Sequence, residues 1–283
     1  LEKDFASIRA FEKQLTDDGM VIIKLFLKID WKEQKKRFEK LLASKDTAWR
    51  VSKGDLKRNH DFKEYKAINE EMLRKTDADY APWTVINATK KKEAKVAVYQ
   101  AVIQAMEEAV ARKELEEKGS LEKKTEMKRE TAESILAKTD LSKSMPKEVY
   151  EERLKELQKK MEHLHGELYR RRIPVVLGFE GWDAGGKGGA IKRLTSHMDP
   201  RGYVVNPTAS PSDTEKAHHY LWRFWREMPK AGHIAIFDRT WYGRVMVERL
   251  EGFCKENDWQ RAYTEINEFE KQLTDWGAVI LKF

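Results

Sequence analysis

A glycine-rich segment with a single lysine, VVLGFEGWDAGGKGGA, occupies residues 175–190. Its spacing, Gly181-x-x-x-x-Gly186-Lys187, is that of a P-loop, in which backbone N–H groups curl around phosphate oxygens. The first turn of the following helix adds partial positive charge, and the lysine adds a full one. The segment therefore predicts a site for a polyphosphate chain or for the phosphates of a nucleotide. The residues expected to contact phosphate here are Gly181, Gly185, Gly186, Lys187, Gly188 and Gly189.

The loop departs from the usual P-loop at two positions. Gly188 stands where a serine or threonine hydroxyl normally holds Mg²⁺. Asp183 lies inside the loop, where phosphate would repel a carboxylate unless a cation lay between them. We therefore expect Asp183 to hold Mg²⁺ or to orient an incoming phosphate. The alternative is a turn aspartate that accepts a hydrogen bond from its own backbone.

A second acid ends the apolar run HIAIFD at residues 233–238. In open α/β sheets, ligands bind at the carboxyl ends of the strands, so Asp238 is expected beside the P-loop as a second Mg²⁺ ligand. Arg239 and Arg244 follow, and guanidinium groups there would stabilise a phosphoryl group in transfer. A strand-end cap for Asp238 and surface ion pairs for the two arginines remain the alternatives.

Two further arginines are weaker candidates for phosphate binding. Arg201, in MDPRGY, could equally be a solvent-facing turn residue, and Arg223 lies among aromatic residues whose spacing also suits core packing. The pair His218-His219 lacks a third histidine or cysteine nearby, so we expect no metal site there. Cys254 has no evident base.

Composition limits the function classes. Charged residues make up 36% of the 283 residues and the net charge is +7, which permits a polyanionic partner without requiring one. The single cysteine excludes an internal disulfide. No apolar run is long enough to span a membrane, and the first residues do not resemble a signal peptide. A cytoplasmic protein with no membrane partner is expected.

The heptapeptide FEKQLTD occurs twice, at residues 11–17 and again at residues 269–275. The offset of 269 − 11 = 258 residues is the size of a whole domain. We interpret it as a tandem duplication, of which the chain holds the back half of one copy and the front half of the next. The expected divisions are residues 1–117, a charged linker at 118–145 whose part Thr131–Lys138 could be helical, and residues 146–283.

Strands that alternate with helices predict an α/β fold with a parallel sheet flanked by helices. The apolar run Met20–Ile29 is expected to be a strand covered on both faces. Ser44–Tyr65 is expected to be a mobile surface segment, and Thr214–Glu227 a single helix. The apolar face of the helix Pro146–Arg171 is expected to dock on its own domain rather than form a coiled coil. Because Met20–Ile29 and Ala278–Phe283 are equivalent by the repeat, they could also compete for one place in a sheet.

Several motifs together resemble the polyphosphate kinase 2 family, above all its tandem-domain members. They are GFEGWDAGGKGGAIKRL, MDPRGY, HHYLWRFW, IFDRTWYGRVMVERLEGF and INEFEKQL. The resemblance implies a P-loop kinase-like fold and Mg²⁺-dependent phosphoryl transfer between inorganic polyphosphate and a nucleotide, with AMP as acceptor and ADP as product. It assigns catalytic roles to Asp183, Lys187, Asp238, Arg239 and Arg244.

The segment EQKKRFEKL is similar to the family's lid, which places Arg37 over a phosphate site. Leu41 stands where another lid arginine is expected, so this copy would be weakened in catalysis. The lid that belongs to the P-loop copy would lie beyond Phe283.

Two other function classes remain open at this point. A nucleoside monophosphate kinase that uses ATP would share the fold and the P-loop, and an inactive polyanion-binding module would share the positive charge. Nucleic-acid binding has no motif in its favour, and a homo-oligomer is compatible with the sequence.

Overall fold

Helices and strands alternate through the computed structural model, which describes residues 2–119 and 139–283. The chain divides into two units, Leu1–Thr125 and Glu126–Phe283. Most of the predicted linker, including the possible helix Thr131–Lys138, lies outside the described residues. Residues 139–146 contain no helix or strand. The division at residues 117 and 146 stays a prediction.

The first unit contains six helices and two strands among its described residues. They are α1 (Glu2–Asp17), β1 (Lys24–Lys28), α2 (Trp31–Leu42), α3 (Lys45–Ala48), α4 (Lys53–His60), α5 (Phe62–Thr76), β2 (Trp83–Asn87) and α6 (Lys91–Gly119). β1 and β2 pair in parallel, in register from Lys24 with Trp83 to Lys28 with Asn87.

The expectation for the first strand of this unit was wrong. β1 is shorter than Met20–Ile29 because its partner strand offers five residues, and it is not covered on both faces, since Leu27 is 56% exposed. The segment Ser44–Tyr65, expected to be a mobile surface segment, is largely helical. Ser52 begins α4 with a reciprocal cap, in which its hydroxyl accepts from the Asp55 N–H and the Asp55 carboxylate accepts from the Ser52 N–H.

The second unit is built on a four-stranded, all-parallel sheet with strand order β4-β5-β3-β6. Its elements are α7 (Lys147–Arg171), β3 (Val175–Phe179), α8 (Lys187–Thr195), β4 (Tyr203–Pro207), α9 (Asp213–Lys216), α10 (Trp222–Arg226), β5 (Ile234–Asp238), α11 (Val247–Leu250), α12 (Glu256–Trp276) and β6 (Val279–Lys282). Short 3₁₀ helices cover Pro200–Gly202 and Trp241–Val245. The α/β prediction with a parallel sheet flanked by helices is confirmed.

Apolar side chains cover both faces of this sheet. On one face Val176 and Phe237 pack with Trp241 and with Phe269 of α12. On the other face, the cluster contains Val175, Leu177, Phe179, Ile191, Met198, Ile234 and Ile236. All five residues of β3 are buried, as is typical of a central parallel strand. The P-loop therefore starts from one of the most constrained strands of the unit.

The expected helix Thr214–Glu227 is instead two short helices, α9 and α10. Between them the chain turns so that His219 is buried, with Nε2 3.4 Å from Oε2 of Glu265 on α12. The sequence of this segment is locally compatible with one helix, but the contact between His219 and Glu265 breaks the helix in two.

The apolar face of α7 docks on its own unit, as predicted, through Met161 and Leu168. The equivalent strands do not compete for one place, since β1 lies beside β2 and β6 beside β3. Among the described residues, no helix is both long and apolar enough to cross a membrane.

Candidate phosphate-binding site

The glycine-rich loop joins β3 to α8 and has the backbone of a tight anion-binding turn. Gly186 adopts φ 93°, which a residue with a side chain rarely does. A Cβ on Gly185 would lie 2.9 Å from the Trp182 carbonyl oxygen, so this position has room only for glycine. Ala184 also has a positive φ, 60°, which is uncommon outside glycine. Such local strain is typical of functional loops.

Lys187 is the first residue of α8 and reaches back across the loop. Its Nζ donates to the carbonyl oxygens of Gly181 at 2.7 Å and Trp182 at 3.1 Å. These bonds hold the ammonium group at the N-terminus of α8. There, its full charge and the partial positive charge of the helix end both attract an anion.

The loop forms one wall of an open cavity of about 530 Å³. The lining residues are Asp183, Ala184, Gly185, Gly186, Lys187, Gly188, Gly189, Pro207, Thr208, Ala209, Asp238 and Arg239. The structure thus brings together four of the five residues predicted to be catalytic, along with four of the predicted loop glycines. Gly181 shapes the loop without lining the cavity.

Sheet register sets the position of the second wall. Asp238, the last residue of β5, is paired with Phe179, the last residue of β3. The next residue, Arg239, has φ 68° and donates its backbone N–H to the Phe179 carbonyl at 3.0 Å. The Thr208 hydroxyl donates to the Arg239 carbonyl at 2.7 Å. Neighbouring strand ends therefore hold this arginine in an uncommon backbone conformation beside the loop.

The two walls meet through a charged contact. Arg239 Nη2 lies 3.2 Å from Asp183 Oδ1, and the side chains are 58% and 94% exposed. An exposed pair of this kind contributes little to stability. Its consequence is to place one carboxylate and one guanidinium side by side at the rim of the cavity.

The acids of the cavity fit a magnesium ion that also binds phosphate. Mg²⁺ is usually held by one or two carboxylates, with phosphate oxygens and water completing its coordination. Asp183 and Asp238 both line the cavity and supply two such carboxylates. Residues 2–119 and 139–283 contain no group of three or more acidic, histidine or cysteine side chains arranged to hold a metal. The remaining ligands would therefore be phosphates and water.

Three arginines that were predicted to contact phosphate lie elsewhere in the second unit. Each is paired with a carboxylate. Arg201 forms a bidentate pair with Asp199, which holds the pKa of that carboxyl well below its usual range. Arg223 lies 3.2 Å from Glu215. Arg244 lies 2.8 Å from Glu248, and its guanidinium carbon is 4.4 Å from the ring centroid of Tyr220. The described cavity lining includes none of the three.

In the first unit, Arg37 is bound within its own surroundings. It donates to Glu33 on α2 at 2.7 Å and to the carbonyl oxygens of Ala88 and Thr89, just after β2. Leu41 lies one turn further along α2. The lid role expected for Arg37 stays a prediction.

Sequence reasoning missed Thr208, which both lines the cavity and binds Arg239. The rule that located Asp238 applies here too, since Thr208 directly follows β4 at the carboxyl edge of the sheet. Glu180 and Thr240 were also missed. The Glu180 carboxylate accepts from the backbone N–H and the hydroxyl of Thr240, a contact for which the sequence carries no signal.

Comparison with known proteins places this geometry in a family. The model of the family described as polyphosphate kinase 2 matches residues 1–114 and 144–283. A polyphosphate:AMP phosphotransferase of Pseudomonas syringae pv. tomato is 39% identical over 286 residues, which is 100% of this chain and 57% of that protein. An ADP-polyphosphate phosphotransferase of Rhizobium meliloti is 38% identical over 147 residues, covering 52% of each chain.

A solved structure described as polyphosphate kinase 2 from Pseudomonas aeruginosa superposes with a TM-score of 0.77 at 34% identity. The match covers 99% of this chain and 53% of that one. These two matches run along essentially all of this chain, but the chain spans little more than half the length of each relative. A P-loop at a parallel sheet edge, the family match and the structural match agree, and the chain belongs to the polyphosphate kinase 2 family.

Proposed function

We propose that this chain carries the phosphate-transfer site of an enzyme that moves a phosphoryl group from inorganic polyphosphate to AMP, giving ADP. The observation that supports this most directly is the convergence of Asp183, Lys187, Asp238 and Arg239 on one open cavity. Two acids, an amine and a guanidinium around a glycine loop suit linked phosphates.

The chemistry asks the protein chiefly for positioning and charge. A phosphate oxygen of AMP attacks the terminal phosphorus of the polymer, a new P–O bond forms, and the bond to the next phosphate breaks with its electrons going to the shortened chain. Lys187 and the loop N–H groups would hold the polymer phosphates, and Arg239 would spread charge from the group in transfer. Mg²⁺ held by Asp183 and Asp238 would supply further charge neutralisation.

AMP is proposed as the acceptor because the full-length relatives quoted above include a polyphosphate:AMP phosphotransferase. The repeated heptapeptide supports a tandem arrangement of two such units in the whole protein. Arg244, Arg201, Arg223 and Arg37 are retained as candidates that would need to leave their present partners to contact phosphate.

The donor separates this proposal from an ATP-dependent kinase. The chain is incubated with AMP and Mg²⁺, and with either polyphosphate or ATP, and ADP is quantified by chromatography. Polyphosphate is expected to be the effective donor. Lys187→Met is expected to lower turnover at least 100-fold, because it removes a charge held at the loop. Lys192→Met, on the same helix but outside the cavity lining, is the matched control and should change turnover less than about twofold.

Calorimetric titration with tripolyphosphate accompanies the assay. Binding that depends on Lys187 without turnover would favour the polyanion-binding alternative for this chain, and ATP as the better donor would overturn the proposed substrate.

A further inference from the structure

We infer that Glu180 is a positioning residue that sets Arg239 against the phosphate loop, an inference that rests on the proposed function of this site. Glu180 lies directly before Gly181, at the start of the loop. Its Oε1 accepts from the Thr240 backbone N–H at 2.6 Å and from the Thr240 hydroxyl at 2.6 Å. One carboxylate oxygen thereby joins the start of the loop to the residue that follows Arg239.

The presence of the Glu180 carboxylate beside the phosphate loop needs a physical reason. A negative charge next to a phosphate-binding loop opposes anion binding by simple Coulomb repulsion. The two short hydrogen bonds from Thr240 to the Glu180 carboxylate provide that reason, since hydrogen bonds to a charged acceptor are stronger than those between neutral groups.

Hydrogen bonds restrain the backbone of Arg239 and of the residue that follows it. Its N–H binds the Phe179 carbonyl, its C=O accepts from Thr208, and the next residue is fixed by Glu180. The positive φ of 68° at this non-glycine residue persists only where the surroundings determine it. Without the contact to Glu180, the backbone at residues 239–240 loses a principal restraint.

The same hydroxyl also begins the next element. Thr240 Oγ1 accepts from the Tyr242 N–H at 3.2 Å and so caps the 3₁₀ helix Trp241–Val245. The hydroxyl proton goes to Glu180 and a lone pair accepts from Tyr242, so the two bonds are compatible. The Thr240 methyl lies 3.0 Å from the position that a Cβ on Gly178 would occupy, which packs this residue closely on β3.

The test compares variants that remove the contact with variants that keep it. Glu180→Ala removes the acceptor, and Thr240→Val removes the hydroxyl while keeping the methyl that packs on Gly178. Glu180→Gln keeps an acceptor oxygen and Thr240→Ser keeps the hydroxyl, so these two are the rescue variants. Glu227→Ala, at an exposed position of the same unit, is the control.

We expect Glu180→Ala and Thr240→Val to lower kcat at least 10-fold with less than a threefold change in KM for polyphosphate, because Lys187 and the loop amides still bind the polymer. Glu180→Gln and Thr240→Ser should recover kcat to within about threefold of the unmodified chain. The double variant Glu180→Ala/Thr240→Val should be no slower than the slower single variant, as for residues that act through one contact.

Two readouts do not depend on turnover. Hydrogen exchange at residues 239–242 should accelerate in Glu180→Ala and not in Glu180→Gln. In a tripolyphosphate titration followed by the NMR signal of the arginine Nε–H, the Arg239 signal should shift in Glu180→Gln and fail to shift in Glu180→Ala. If the unmodified chain forms no ADP, the proposed function fails, and these two readouts still decide the positioning role.

Equal losses in the alanine and glutamine variants, accompanied by matching losses in the thermal midpoint, would assign Glu180 a purely structural role and overturn the inference. Unchanged kcat together with unchanged exchange in Glu180→Ala would overturn it as well.

Discussion

Lys282 donates to Glu270 at 2.8 Å, where it joins the last strand of the second unit to the helix before it. The same pair recurs in the first unit, where Lys24 lies 2.7 Å from Glu12. The offsets 282 − 24 and 270 − 12 are both 258, the offset of the repeated heptapeptide. One sequence repeat therefore builds one local structure in two places.

The turn between helix and strand repeats as well. Gly19 and Gly277 end α1 and α12 with φ values of 96° and 104°. Each donates its N–H at 3.0 Å to the carbonyl three residues earlier, on Thr16 and Thr274. A positive φ that ends a helix at the same place in both copies supports the proposed duplication.

The two ion pairs differ in burial, which predicts different costs of removal. The Lys24 side chain is 7% exposed and also donates to the Thr76 carbonyl, whereas the Lys282 side chain is 50% exposed. Lys24→Met should raise the free energy of the native state by about 3–5 kcal/mol, since it removes a buried charge that both the Glu12 carboxylate, only 14% exposed, and the Thr76 carbonyl accept from. Lys282→Met should cost about 1 kcal/mol or less, because that lysine is exposed to water and Glu270, also 14% exposed, keeps its hydrogen bonds from two neighbouring aromatic side chains.

Hydrogen exchange resolves the two sites, because protection in β1 and in β6 is read from separate peptides. Equal loss of protection in the two variants would contradict the argument from burial.

Gly178 in the central strand predicts a packing defect when it is enlarged. A Cβ there would lie 3.0 Å from the Thr240 methyl, a distance at which one of the two must move. Gly178→Ala is expected to destabilise the second unit by about 1–3 kcal/mol. Gly243→Ala is the matched control, because a Cβ at Gly243 would meet no atom within 4 Å. Urea unfolding of both variants measures the difference, and similar midpoints would show that Thr240 yields freely.

Much of the site could be predicted because it depends on local chemistry. The apolar run HIAIFD was predicted to end at Asp238, which is the last residue of β5. A buried apolar run followed by glycine or a charged residue leaves few alternatives for where a strand ends. Asp238 could be placed beside the loop for the same reason, since parallel strands meet at one edge.

What could not be predicted depends on distant partners. The break between α9 and α10 follows from the burial of His219 against Glu265, which lie 46 residues apart in the sequence (265 − 219). The carboxylates that hold Arg201 and Arg244 are close in sequence, but many rotamers could have directed those arginines elsewhere. The cap at Ser52 is a different case, because its spacing to Asp55 was present in the sequence and signalled α4.

The backbone of Arg239 predicts that function and stability separate there. Its φ of 68° costs about 1–3 kcal/mol in a residue with a Cβ, and glycine adopts it freely. Arg239→Gly is therefore expected to leave the thermal midpoint unchanged or higher, since the exposed pair with Asp183 adds little. ADP formation should fall at least 100-fold because the guanidinium is gone. A clear drop in the midpoint would show that the side chain, not the backbone, dominates stability here.

The present partners of two arginines predict unequal effects on anion affinity. Arg239 lines the cavity, whereas Arg201 donates from Nε and Nη2 to the two carboxylate oxygens of Asp199. Arg239→Ala is expected to weaken tripolyphosphate binding about 10-fold, and Arg201→Ala less than twofold. Titration calorimetry at low and moderate salt checks both, because screening should reduce the Arg239 effect. A large loss in Arg201→Ala would mean that Arg201 leaves Asp199 when phosphate binds.

A buried carboxylate in α12 predicts sensitivity to acid. Burial by itself raises the pKa of Glu265, but hydrogen bonding and charge from His219, together with Arg261, outweigh it and lower that pKa below its ordinary value of 4.5. A carboxyl group whose pKa is lowered on folding stabilises the native state above its unfolded pKa, and that contribution is lost as the pH falls through the folded value.

The stability lost on acidification should therefore be smaller in Glu265→Gln than in the unmodified chain. The variant is expected to be less stable than the unmodified chain at pH 7, because an amide lacks the negative charge of the carboxylate that His219 and Arg261 face. This gap in stability should narrow steadily below about pH 4.5. Thermal unfolding between pH 7 and pH 3 measures it, with Glu251→Gln as an exposed control. A gap that stays constant across this range would mean that Glu265 keeps one protonation state throughout, and the ionic account of this contact would then be wrong.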